Sequence, residues 1–92
     1  MFNKIKITVK VHFLDFPEIN DDKNVIYLEV NKNGKIYIIK DSFYVMGGDE
    51  ESNISMKYGN IIIDENKTFN EYNIQNNSVV NFFVKNFIAP IS

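Results

Sequence analysis

Nine residues near the start, Ile5 to Phe13, alternate without a fault. Ile5, Ile7, Val9, Val11 and Phe13 are apolar, and Lys6, Thr8, Lys10 and His12 between them are polar. Successive side chains of a strand point to opposite faces, so this pattern predicts a strand with one face buried and one in water. Such a strand needs neighbouring strands and an apolar layer to cover its inner face. With 92 residues the chain can build one such core and not two. Every later apolar segment must therefore serve the same core.

The later segments can be read the same way. Residues 14–24 collect Asp15, Pro17, Asn20, Asp21 and Asp22, a turn-forming composition that predicts a long loop. Val25 to Val30 reads as a second strand, with Ile26, Leu28 and Val30 on one side and Tyr27 and Glu29 on the other. The next stretch supports two readings. Lys32-Asn33-Gly34-Lys35 resembles a hairpin turn leading to the β-prone Ile36 to Ile39, yet Ile36, Ile39, Phe43 and Met46 keep helical spacing ahead of Gly47-Gly48. Asp49 to Asn53 is an acidic loop, Ile54 to Tyr58 a strand, Gly59-Asn60 a turn, Ile61 to Ile63 a short strand, and Ser78 to Lys85 a last strand.

Several functions drop out on composition. Cysteine is absent, which removes disulfides, thiolate metal sites and a cysteine nucleophile. Ten lysines, no arginine and twelve acids give a net charge of −2, with no bulk attraction for nucleic acid. No apolar run approaches the roughly 18 residues of a membrane helix, and the start lacks the apolar core of a signal peptide. The expectation is a soluble intracellular protein, cytoplasmic or nuclear, with no membrane contact. His12 stands alone as a metal ligand or catalytic base. Asp49-Glu50-Glu51 lacks the alternating oxygen ligands of a calcium loop. No enzyme activity, cofactor or metal is expected.

The run Tyr58-Gly59-Asn60 followed by Asp64-Glu65-Asn66-Lys67-Thr68-Phe69-Asn70-Glu71-Tyr72-Asn73-Ile74-Gln75 resembles the second half of ubiquitin. The likeness keeps one register from Ile26 to Lys85. It puts Ile26, Leu28, Val30, Ile36, Ile39, Phe43, Met56, Ile63, Phe69, Ile74, Val80 and Phe82 where the family has its core. The resemblance implies an α+β, ubiquitin-like β-grasp fold, a mixed sheet of four to five strands with one helix packed across it. It makes Ile36 to Met46 the helix, ending at Gly48, although Lys35 stands where the family has a hydroxyl N-cap. The domain is expected to span residues 1–86, with an apolar tail at 87–92.

The departures bear on function. Conjugation of a ubiquitin-like protein needs a Gly-Gly terminus, and this chain has Ile88-Ala89 at those positions. The resemblance therefore implies a protein that is not attached to substrates. Two lysines used for building ubiquitin chains are replaced by Ile61 and Asn76, while Lys40 remains. The isoleucine and valine at the centre of ubiquitin's docking patch become Lys57 and Phe83. A bare ammonium there opposes binding by ordinary ubiquitin-binding domains, because desolvating it is costly.

The outward strand residues form a basic face with aromatics: Lys4, Lys6, Lys10 and His12, then Tyr27 and Glu29, then Lys57, then Asn81, Phe83 and Lys85. This suits an acidic segment of a protein partner, anchored on Phe83 and Tyr27, and Ile61 is a further candidate contact. A non-catalytic adaptor is the leading expectation. The alternative is a structural subunit of a hetero-complex, docked through the tail (Phe87, Ile88, Pro90, Ile91) and the first loop (Phe13, Leu14, Phe16, Ile19).

Overall fold

The structure, a computed structural model, describes residues 3–16, 18, 24–47 and 53–85. Its elements are β1 (Lys4–Phe13), β2 (Val25–Asn31), α1 (Tyr37–Val45), β3 (Asn53–Tyr58), β4 (Ile61–Ile62), a 3₁₀ turn (Asn70–Tyr72) and β5 (Ser78–Lys85). The strands form one sheet in the order β2-β1-β5-β3-β4. β1 pairs parallel with β5, and the other neighbours are antiparallel. A mixed sheet with one helix across it is the β-grasp arrangement that the sequence predicts.

Alternation in β1 is realised residue by residue: Ile5, Ile7, Val9 and Val11 are buried, and Lys4, Lys6 and Lys10 are exposed. β5 adds Val80, Phe82 and Val84, and α1 closes the core with Ile36, Ile39 and Phe43 above Met56, Ile63, Phe69 and Ile74. Of the twelve core positions that the resemblance implies, only Leu28 stays half-buried, packed against the cluster on the edge strand β2.

The helix forms over β-branched residues because tertiary contacts supply what the local sequence lacks. No side chain caps it. Instead the Ile36 N–H donates to the Lys67 carbonyl and the Tyr37 N–H to the Glu65 carbonyl, both at 2.9 Å. The Ile38 and Ile39 N–H groups bond back to Lys35 and Ile36, so the whole first turn is satisfied. Lys40 Nζ donates to Glu65 Oε2 at 3.0 Å, tying the helix to the same loop. That hydrogen bond raises the Lys40 pKa against the opposing pull of burial. The helix ends on Gly47, whose φ of 105° suits a residue without Cβ. Gly48, the predicted stop, lies outside the described residues.

The loop that caps the helix is itself locked. The Thr68 N–H donates to Glu71 Oε2 at 2.7 Å, and the Glu71 N–H donates to Thr68 Oγ1 at 3.2 Å, a reciprocal capping box on the 3₁₀ turn. The bond from Thr68 holds the Glu71 carboxyl below the usual carboxylate range. Because the folded-state pKa is the lower one, ionised Glu71 favours the fold above its ordinary value of about 4.5. That contribution is lost as pH falls through the folded value. Urea unfolding at successive pH values is expected to show a decline below pH 4.5 that is shallower in Glu71→Gln. Equal slopes would remove the carboxylate from the account.

Candidate functional site

The parallel pairing of β1 with β5 brings together side chains about seventy positions apart in the chain. Thr8 stands beside Val79, Lys10 beside Asn81 and His12 beside Phe83. On the other flank of β5, Phe83 pairs with Ser55 and Asn81 with Lys57. All of these lie on the face away from the helix, because their neighbours Val9, Val11, Val80, Phe82 and Met56 are buried.

Phe83 is the centre of this face. His12 stacks on its ring, with centroids 4.9 Å apart and planes inclined by 19°, and Lys57 Nζ lies 5.8 Å from the ring centroid. His12 Nε2 lies 3.0 Å from Asn81 Oδ1, so the ring N–H donates to the amide oxygen and fixes the imidazole plane. The cation over the ring is the favoured placement against a π face. Phe83 and Asn81 are half-buried, while Lys10, Lys57 and Lys85 are exposed around them. Rigid aromatic surface thus sits inside a ring of long cations.

Most of the predicted residues occupy this one face. Lys57, Asn81 and Phe83 meet as described, Lys10 stands next to Asn81, and Lys85 continues the outward row of β5. Lys6 and Tyr27 lie further out on the β1–β2 side, where with Thr8, Glu29 and Asn77 they line a shallow depression. Glu29 pairs with Lys6 and is the single acid on the face among the described residues. Phe87 and Ile88 lie outside the described residues. Ile61 is not on this face. It pairs with Tyr58, whose alternation puts it on the helix side, and the residue paired with Lys57 is Ile62.

Ile62, Val79 and His12 also belong to the site. Ile62 is 69% exposed beside Lys57, and Val79 is 42% exposed beside Thr8. His12, in the outward row of β1, is half-buried and supports Phe83. Tyr27, Val79 and Ile62 therefore add apolar points at either side of Phe83.

Among the described residues no group of three or more His, Asp or Glu could hold a metal ion. No described helix is long and apolar enough to cross a membrane. His12 is engaged with Asn81 and Phe83.

Neither a protein-family model nor a curated protein matches the chain. Solved structures do match. Two structures of the ubiquitin-like domain of Arabidopsis thaliana protein At2g32350 share 21% and 22% identity with it, at TM-scores of 0.67 and 0.65. The first covers 90% of this chain and 79% of its own, and the second 99% and 93%. The N-terminal ubiquitin-like domain of the 4931431F19Rik protein aligns over 100% of this chain and 85% of its own, at 13% identity and a TM-score of 0.68. Strand order, the single helix and these alignments agree that the chain has the ubiquitin-like β-grasp fold.

Proposed function

We propose that this domain is a non-catalytic adaptor that binds an acidic segment of a protein partner on the outer sheet face, with Phe83 as the anchor. The observation that carries the reading is the stacking of Phe83 between His12 and Lys57. An aromatic ring held in place by its neighbours loses little freedom on binding. Lys10, Lys57 and Lys85 around it, with Lys6 further along the same face, favour carboxylates and disfavour basic partners. The ubiquitin-like fold supports the same reading, as a scaffold whose exposed sheet suits protein contacts. At the positions where conjugation requires two glycines the chain carries Ile88 and Ala89, which supports binding without covalent attachment.

A titration with a peptide of alternating Glu and Leu tests the proposal. Amide shifts are expected at Lys10, His12, Lys57 and Phe83, and the affinity should fall steeply between 50 mM and 300 mM salt, because exposed charges are screened over about 10 Å at 0.1 M. Shifts confined to α1 or β4, or an affinity indifferent to salt, would refute docking on this face.

The second reading, a subunit of a larger complex, is favoured by Leu14 and Phe16, exposed at the end of β1 where the Leu14 N–H bonds to the Val84 carbonyl. It predicts that Leu14→Asp abolishes capture of the partner while Phe83→Ala does not.

A further inference from the structure

The edge strand β2 carries information that the face does not. The N–H of Val11 donates to the Asn24 carbonyl and that of Lys32 to the Asn3 carbonyl. In the antiparallel ladder of β1 with β2, hydrogen-bonded pairs alternate with non-bonded ones. Counting inward from both ends along the observed register, the bonded pairs are Val9 with Ile26, Ile7 with Leu28 and Ile5 with Val30. Ile26, Leu28 and Val30 therefore spend their backbone groups on β1. Val25, Tyr27, Glu29 and Asn31 turn theirs to the open edge. Among the described residues none bonds to the edge-facing groups of Val25, Tyr27 and Glu29.

Apart from the charge of Glu29, this edge shows none of the usual guards among the described residues. Its sequence, Val25-Ile26-Tyr27-Leu28-Glu29-Val30-Asn31, is strongly β-prone and contains no proline and no lysine, and every residue keeps the regular register with β1. It is also complementary to itself. Laid antiparallel to a second β2 about a twofold axis at Leu28, all seven residues pair, and the edge-facing groups of Tyr27 meet those of Glu29 in the other copy, twice. Ile26 then lies opposite Val30, continuing the inner face, and Leu28 opposite Leu28. On the outer face each Glu29 stands between its own Lys6 and the other copy's Tyr27, whose hydroxyl is a donor to the carboxylate.

We propose that two copies of this chain associate through their β2 edges, forming one continuous ten-stranded sheet. The association doubles the basic outer face, so an acidic partner with two segments would engage both Phe83 sites at once. The edge pairing does not depend on the adaptor reading, since it uses backbone groups of β2 and leaves Phe83 free.

Sedimentation equilibrium on the full chain, from about 10 μM to about 1 mM, a range in which weak self-association is populated, tests the idea together with amide exchange. A concentration-dependent dimer is expected. In it the amides of Tyr27 and Glu29 exchange at least tenfold more slowly than at the dilute end, while those of Leu28 and Val30 are protected throughout. Glu29→Pro removes an N–H that β1 does not use and should leave a folded monomer. A chain that stays monomeric to 1 mM overturns the proposal. So does a dimer in which Tyr27 and Glu29 exchange at the dilute rate, a readout in the wild-type chain that stands whatever the variant does.

Discussion

Replacing Phe82 with alanine is expected to lower the unfolding free energy by about 3–5 kcal/mol. Phe82 is fully buried, pairs with Val11 on one side and Met56 on the other, and its ring lies 5.0 Å from that of Phe43 at an angle of 47°. It is where the helix meets the centre of the sheet. Three elements would line the void left by the ring, and strands held on both sides cannot collapse into it. Domains of this size are stable by about 5–15 kcal/mol, so the variant keeps only part of its stability. A drop in melting temperature of about 15–30 °C follows from the scaling for small domains. Urea unfolding followed by circular dichroism measures it directly. A loss below about 1.5 kcal/mol would mean that Phe82 is not the keystone of the packing.

The reason Phe82 could be placed from sequence, and parts of the site could not, lies in the length of the elements. β1 and β5 run for ten and eight residues, long enough for alternation to state which side chain faces inward. β4 has two residues, so its facing is set by its register with β3 and not by any pattern of its own. The sequence alone therefore does not tell which of Ile61 and Ile62 stands beside Lys57. Val79 follows from the same alternation as Phe82: with Val80, Phe82 and Val84 inward, it faces out.

The helix shows the opposite balance. Ile36 to Ile39 favours a strand locally, and the missing N-cap weakens a helix by up to about 1 kcal/mol. Carbonyls of Glu65 and Lys67, some thirty positions later, supply the bonds that a capping side chain normally gives. No local reading contains that information; it came through the resemblance in register over the whole domain. His12 is similar. Its polarity was legible, but its stacking on Phe83 exists because β1 and β5 are parallel neighbours.

Phe83→Ala should leave the fold nearly intact and remove most of the partner affinity. The side chain is half-buried on the outer face and its backbone remains in β5 between β1 and β3, so the cost to stability is expected below about 1 kcal/mol, a surface-like effect. Binding is a different matter, because energetically dominant interface residues are central, aromatic and ringed by contacts that exclude water. Losing the ring also frees His12 and Lys57, which are held against it, so their orientation for an incoming carboxylate is lost with it. A loss of about 2 kcal/mol or more, near thirtyfold in Kd, is expected. Lys57→Ala and Lys85→Ala, at the exposed rim, should each cost under about 1 kcal/mol and reduce the salt dependence. Titration of the captured partner against the three variants separates the cases. If Phe83→Ala weakens binding no more than Lys85→Ala does, the partner rests on the charge pattern alone, and the ring held between His12 and Lys57 is only part of the protein's own packing.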